Sequence, residues 1–299
     1  MNESLTYIVA VSGGVDSVVL LHKLTSHTQN ASPQLPSTNP QPPKYIVAHF
    51  DHGIREDSGS DAEFVKSLAD NFGLIYELGK GNLGKDTSEA TARDARYKFL
   101  RGVMKKHGAD KIITAHHQDD VFESMVINMI RGTGARGLNP MSGSPDILRP
   151  LNHKTKKDLV SYAKDHDLEW REDSTNTDEK YLRNYVRSNI MQKLEPARSK
   201  LLELQKSVDG IYHDLDMRIL TLLPKQNVLS RTWFVGLPYS VQKEIIRAWL
   251  TRCGVVDLDK ATIERIVIAC KTLPINKQID ISGKLWLKSE KQNLLITSK

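Results

Sequence analysis

Residues 7–21 read YIVAVSGGVDSVVLL, and this stretch decides the fold. Tyr7 to Val11 is a short, β-rich apolar run of the kind carried by a strand buried on both faces. From Ser17 to Leu24 the apolar residues recur at helical spacing. Ser12, Gly13, Gly14, Val15, Asp16 and Ser17 therefore form a strand-to-helix turn. Such a turn aims backbone N–H groups and the positive end of a helix dipole at one point, and the two glycines put no Cβ in the way of a phosphate. Ser12 and Ser17 add hydroxyl groups, and Asp16 can hold a cation that travels with the phosphates. The turn is not a Walker A loop, because GxxxxGKS/T needs a lysine and none lies between Tyr7 and His22.

Working outward, β-rich runs at 45–50 and 111–115, with a weaker one at 74–78, alternate with helical patterns. That alternation predicts an α/β fold with a doubly wound, mostly parallel sheet and helices on both faces. Thr25 to Lys44 interrupts it with five prolines at 33, 36, 40, 42 and 43, and reads as a mobile loop after the first helix. From about Asn152 the pattern turns mainly helical, over 154–167, 180–222, 239–252 and 259–271. This predicts two domains, residues 1–190 and 191–299. After Pro274 the segments QIDI, KLWLKS and NLLITS, the first two parted by Ser282-Gly283, predict a small terminal β element. Trp233, Trp249 and Trp286 lie inside apolar patterns, so core packing is their expected role.

The chain has 299 residues, 39% apolar and 26% charged, which describes a soluble globular protein. No window approaches the ~18–20 apolar residues of a membrane span. Met1 to Thr6 lacks a basic region, so no signal peptide and no membrane partner are expected. Cys253 and Cys270 make no disulfide framework, and a reducing cytoplasm is the simplest setting. Residues 1–186 carry 23 Lys+Arg against 25 Asp+Glu, and residues 187–299 carry 19 against 11; the total of +6 is thus −2 plus +8. The basic second part points to a polyanion as partner, and the acidic groups of the first part to chemistry or metal binding.

The second β-rich run ends in His49-Phe50-Asp51-His52-Gly53-Ile54-Arg55 and the third in Thr114-Ala115-His116-His117-Gln118-Asp119-Asp120-Val121-Phe122-Glu123. In an open α/β sheet the carboxyl ends of such strands converge with the glycine turn on one crevice. Asp120 and Glu123 are three apart at a helix start, on one face, where they can grip an ammonium group or a metal; His116 is one turn before Asp120 if the helix begins early. Acids in a first helical turn also simply complement its dipole. Arg93, Arg96 and Tyr97 recur at helical spacing, and arginine forks suit phosphates. Gly132 to Gly137 spells a formal GxGxxG, but it follows a helix, fails the dinucleotide context, and is equally a glycine-rich helix exit. Asp173-Ser174-Thr175-Asn176 precedes Arg183 and Arg187, themselves one turn apart.

SGGVDS after an apolar strand resembles the PP-loop of the N-type ATP pyrophosphatases. The ordered set SGGVDS, HFDHGIREDS, EATARDARY, TAHHQDDVFES, RGTGARGL, RPL at 149–151, EDSTN at 172–176 and RNYVR at 183–187 closely resembles the tRNA(Ile)-lysidine synthetase family. The likeness covers about residues 7–190. The remainder more loosely resembles the family's helical substrate-binding domain, in a short form. The resemblance implies an adenine nucleotide alpha hydrolase-like fold and a ligase that uses ATP and Mg²⁺. Its partners would be a tRNA(Ile) with a CAU anticodon and free L-lysine, and a homodimer is allowed. Mapped by motif, Ser12, Gly13, Gly14, Val15, Asp16 and Ser17 would bind ATP with His49, Asp51 and His52, and Asp16 would hold Mg²⁺. Asp120 and Glu123 would face the lysine ammonium groups, His116 and Arg96 would line the nucleotide site, and Arg183 or Arg187 would neutralise phosphate charge.

Two rival readings share parts of this pattern. A PP-loop tRNA thiolase would keep the ATP site, but such enzymes generally place cysteines near the crevice. A metal-dependent phosphohydrolase could use His49, Asp51, His52, His116, Asp119 and Asp120 as ligands, but would not need SGGVDS.

Overall fold

A computed structural model describes residues 4–29, 42–53, 58–81, 84, 87–139, 144, 146–171, 182–223, 227–255, 258–281 and 285–298. The chain divides into two compact units, Met1–Thr133 with Ser144–Ser199, and Gly134–Gly143 with Lys200–Lys299.

The first unit runs β1 (Thr6–Ala10), α1 (Val15–Gln29), β2 (Lys44–Asp51), α2 (Ser58–Asn71), β3 (Ile75–Lys80), α3 (Glu89–Lys106), β4 (Lys111–Ile113), α4 (Gln118–Ile130), β5 (Ile147–Leu148), α5 (Lys156–Asp165), α6 (Leu182–Tyr185) and α7 (Met191–Leu194). Its five strands are parallel in the order β3-β2-β1-β4-β5. Strand order therefore reverses between β1 and β4, where an open α/β sheet leaves its ligand crevice. Side chains alternate across the sheet. Tyr7, Val9, Val47 and Ile113 pack with Val19, Leu20 and Leu21 of α1 and with Leu159 and Ala163 of α5. Ile8, Ile46, Ala48 and Ile112 pack on the other face with Tyr97, Leu100 and Val103 of α3. Ile8 and Ile112 have no exposed surface, and burying each such side chain is worth about 1.5–3 kcal/mol. The double winding expected from the alternation is thus present. A Cβ at Gly79 of β3 would meet the Phe99 ring at 2.5 Å, so glycine there lets α3 lie close on the strand.

The second unit contains most of α8 (Arg198–Leu222), then β6 (Val228–Ser230), α9 (Arg231–Val235), α10 (Tyr239–Arg252), α11 (Lys260–Thr272), β7 (Gln278–Asp280), β8 (Leu285–Ser289) and β9 (Asn293–Ser298). The strands form an antiparallel sheet in the order β6-β9-β8-β7. Trp249, Phe234, Ile246 and Leu250 join Ile266, Cys270, Leu287 and Leu294 in one core. Arg136 donates to Asp216 at 2.6 and 3.0 Å and to Glu244 at 2.9 Å, and lies over the Tyr212 ring. The GxGxxG stretch is therefore a helix exit at Gly132, φ +66°, and its own Arg136, in a 3-10 turn at Ala135–Leu138, is engaged by carboxylates.

Several expected elements differ in extent. The first helix reaches Gln29, so Thr25 to Gln29 is helix instead of loop; residues 30–41 of the expected loop lie outside the described residues. Strand 111–115 stops at Ile113, although Thr114 N–H still donates to the Leu148 carbonyl of β5 at 3.0 Å; Thr114 and Ala115 line the crevice. The helical stretch 180–222 is broken into α6, a π-helical turn at Val186–Ile190, α7, a 3-10 turn at Glu195–Ala197 and α8. Pro196 in the 3-10 turn lacks the N–H a continuous helix would use. Two short strands, β5 and β6, carry too few residues for their periodicity to register. Trp249 is fully buried as expected, whereas Trp233 is 40% exposed and lies at the surface. The Ser282-Gly283 turn and the EDSTN segment lie outside the described residues.

Candidate active site

The turn after β1 is organised by Ser17. Its buried hydroxyl accepts from the backbone N–H groups of Ser12 and Gly13, each at 3.2 Å, and donates to the Gly14 carbonyl at 2.9 Å. Ser12 Oγ lies 3.3 Å from Ser17 Oγ and accepts from Gly14 N–H at 3.4 Å. Gly13 sits at φ +93°, a conformation that side chains resist, with Val65 and Phe64 against the place its Cβ would take. Asp16 falls in the first turn of α1, where a carboxylate suits the helix dipole.

A cavity of about 500 Å³ opens beside this turn. It is lined by Ser12, Gly14, Asp16 and Ser17 after β1, by His49, Asp51 and His52 at the end of β2, and by Thr114, His116 and Asp120 after β4. Arg93 and Arg96 of α3, with Arg171 and Arg183, complete the lining together with Asp61 of α2. Eleven of the residues singled out by sequence are thus gathered in one place: Ser12, Gly14, Asp16, Ser17, His49, Asp51, His52, Arg96, His116, Asp120 and Arg183. Gly13, Val15, Glu123 and Arg187 stand outside the lining.

His49 is buried, and its Nδ1 lies 2.8 Å from the Val11 carbonyl oxygen, which can only accept; the proton is therefore on Nδ1 and the ring ties β2 to the exit of β1. Asp51 accepts from Gly53 N–H at 2.8 Å, shaping the turn that follows β2.

Helix α4 begins at Gln118, so His116 is not on it. The extended backbone sends the two adjacent histidines apart. His117 Nε2 lies 3.7 Å from Asp16 and 3.6 Å from Asp120, and its backbone N–H donates to Asp120 at 3.0 Å. Asp120 therefore caps α4 while lining the cavity. Lys156, the first residue of α5, places Nζ 2.9 Å from both carboxylate oxygens of Asp16. Its backbone N–H donates to Asp119 at 2.6 Å, and Asp119 also pairs with Arg198. Backbone and arginine bonds hold the Asp119 carboxyl below its ordinary range despite the burial that opposes them. Glu123 is buried and takes Arg187 as a fork at 2.7 and 3.0 Å, so these two neutralise each other. Arg187 lies in the π-helical turn and Arg183 in α6, from which it reaches Ser124 at 3.2 Å.

His116 enters the other end of the cavity, with Nδ1 2.8 Å from the Thr114 hydroxyl. Burial, then the positive charges of Arg96, Arg149, Arg93 and Arg183, push it well below the usual histidine range, so it is neutral at pH 7. Arg96 and Arg149 are themselves lowered, first by burial, with Arg93 adding repulsion. This end concentrates positive charge in surroundings poor in water, a place suited to phosphate.

Among the described residues, no group of three or more His, Cys, Asp and Glu gathers as a metal cage. Asp16 nonetheless fits a Mg²⁺ that arrives with a nucleotide: it already holds a cationic group, and Mg²⁺ characteristically takes one or two carboxylates plus substrate phosphates.

Sequence reasoning missed Lys156 and Arg171, and the parts played by His117 and by Arg149 of the RPL motif. Thr155 and Asp158 form a reciprocal helix cap around Lys156, and that TKKD pattern marked a helix start without revealing what the lysine faces.

The ATP-binding family profile described as the PP-loop domain matches residues 2–194. A tRNA(Ile)-lysidine synthase of Thermotoga sp. strain RQ2 is 37% identical over 238 residues, covering 76% of this chain and 55% of the relative. One from Lactobacillus johnsonii is 35% identical over 205 residues, covering 66% and 45%. The chain thus spans about half the length of the curated relatives it matches. A U34-tRNA thiolase from Methanococcus maripaludis shares the fold at a TM-score of 0.55 and 18% identity, over 70% of this chain and 73% of that one. No described helix is long and apolar enough to cross a membrane.

Proposed function

Because the chain belongs to the PP-loop domain family, we propose that its cavity binds ATP and that the protein ligates free L-lysine to C2 of the wobble cytidine in a CAU-anticodon tRNA(Ile). The activity named for the relatives supports this reading. The observation that carries it is the meeting, in one cavity, of the Ser12–Ser17 turn with an arginine-lined end that holds a neutral histidine.

In the proposed first step the cytidine C2 oxygen attacks the α-phosphorus of ATP, and the bond to the β-phosphate breaks to release pyrophosphate. In the second, an amine of lysine attacks C2 and loses a proton, while the C2–O bond breaks to release AMP. The oxygen is a poor leaving group until it is adenylated, which is why ATP is consumed. The turn's amide groups and hydroxyls would hold the departing pyrophosphate, and the arginine end would stabilise charge at the reacting phosphate. Mg²⁺, held by Asp16, would add Lewis-acid neutralisation of that charge. Asp120 would face the incoming ammonium group from the cavity wall. Glu123 would join it only if Arg187 moved away. The basic part of the chain after residue 186 would carry the tRNA, and the cytoplasm, where such substrates occur, would be its setting.

A thiolase reading lacks a thiol in the cavity lining. Cys270 is fully buried in the second unit's core with its thiol pushed up to about 12, and Cys253 also belongs to that unit. Of the phosphohydrolase ligands, His49 is engaged by the Val11 carbonyl and Asp119 by Arg198 and the Lys156 N–H, and among the described residues no three or more of them gather as a metal cage.

The test is incubation of pure protein with ATP, Mg²⁺, radiolabelled lysine and a CAU-anticodon tRNA(Ile) transcript. Label in the RNA, with AMP and pyrophosphate formed in step, is expected. A folded protein that leaves the RNA unlabelled sinks the proposal.

A further inference from the structure

We infer that Lys156 supplies the phosphate-directed ammonium group that the Ser12–Ser17 turn lacks, acting on the β- and γ-phosphates of ATP and on the pyrophosphate that leaves; the inference rests on the ATP reading above. The turn offers amide groups and two hydroxyls but no cation of its own. Lys156 stands 140 residues from Asp16, yet its Nζ meets both oxygens of the turn's carboxylate at 2.9 Å.

Its backbone is fixed and its side chain is not. The N–H is held by Asp119, which is itself held by Arg198, and the Thr155–Asp158 cap closes the same helix start at 2.9 and 3.1 Å. The side chain is 48% exposed, on a four-carbon stem that can pivot. An ion pair this open to water is weak, because solvent screens it. A polyphosphate, with more charge than one carboxylate, therefore competes well for the ammonium group. Asp16 is released by the same exchange for the cation that accompanies the phosphates.

Other nearby cations are already engaged: Arg187, which also feels the Asp16 charge, is forked onto Glu123. Arg171 donates its backbone N–H to Gly13 at 2.9 Å, but its guanidinium lies over the Phe64 ring at 5.3 Å. Arg93, Arg96, Arg149 and Arg183 act on His116 at the opposite end.

Calorimetry on the full chain, with ATP, pyrophosphate and AMP each titrated in Mg²⁺ buffer, tests the assignment. Lys156→Gln should weaken ATP and pyrophosphate about 10- to 100-fold, the range of a charge-assisted hydrogen bond. AMP, lacking the β- and γ-phosphates, should change less than about twofold. Lys156→Arg should restore most of the loss, and the thermal midpoint should stay unchanged in both variants. Wild-type pyrophosphate affinity in Lys156→Gln, or equal loss of AMP and pyrophosphate, overturns the inference while leaving the ATP reading intact. A wild-type chain that binds neither ATP nor pyrophosphate overturns both.

Discussion

The first unit's cavity region has two ends of opposite electrostatic character. Beside the glycine turn, each of Asp16, Asp119 and Glu123 already has a cationic partner in Lys156, Arg198 or Arg187. At the far end Arg93, Arg96 and Arg149 gather, and burial first, then their positive charge, keeps His116 neutral. Partnered charges are neutralised in advance and can exchange partners when a ligand arrives. Crowded arginines hold charge at a cost in desolvation, which an anionic ligand relieves. The contrast suits a reaction in which a polyphosphate leaves from one end while an anionic centre is held at the other.

The largest expected effect breaks the turn. Asp16→Ala should lower lysine incorporation about 10²- to 10³-fold in single-turnover assays, the loss typical of removing one group aimed at developing charge. Activity within tenfold of wild type would move the chemistry away from this turn. Next is the Glu123–Arg187 pair, where the two single variants should differ. Arg187→Met leaves a buried carboxylate without its partner and should cost about 2–4 kcal/mol in urea unfolding. Glu123→Gln leaves Arg187, 41% exposed, able to reach water, and should cost less. Equal costs would mean that burial of the glutamate is not what the pair compensates.

At the arginine end, Arg96→Gln should weaken ATP binding about tenfold by removing one charge-assisted contact. It should also raise the His116 pKa, followed by NMR of the ring. Smaller still is the pH dependence. His116 titrates near 6.5 when unfolded and well below that when folded, so between the two values the unfolded chain binds more protons. Stability should therefore fall as pH drops below about 6.5, by at most about 1.4 kcal/mol per pH unit from this group. His116→Asn should flatten that slope; an unchanged slope would assign the acid sensitivity elsewhere. Finally, neutralising lysines and arginines beyond residue 187 should weaken tRNA binding and reduce its salt dependence without changing ATP affinity. Equal loss of both would break the division of labour between the two parts of the chain.

Much of the fold was legible because its signals are local. The apolar run at 7–11, the Gly13-Gly14 turn and the helical spacing after Ser17 lie within one short segment, and the helix expected at 239–252 matches α10 residue for residue. The polar strand ends at His49 to His52 and Thr114 to Asp120 were legible too, since a parallel sheet sends its carboxyl ends to one edge. Less visible were β5, too short to alternate, and the breaks between 185 and 198, which depend on a π-helical turn and on Pro196. The exposure of Trp233 was hidden for a similar reason: an apolar pattern does not say which neighbour will cover it.

By itself, the sequence determined the alternation of strands and helices, the glycine turn that only small residues can make, and the basic character of residues 187–299. These follow from backbone sterics, periodicity and composition, all properties of neighbouring residues. Tertiary structure alone decided the partners: Lys156 on Asp16, Arg187 on Glu123, His117 and not His116 beside the acids, and Arg149 among the arginines. Those choices are made across tens of residues or more, where strand order and helix packing set the distances. Charge and hydrogen bonding act over a few ångströms, so the residues that share a site are selected by the fold that brings them within that range.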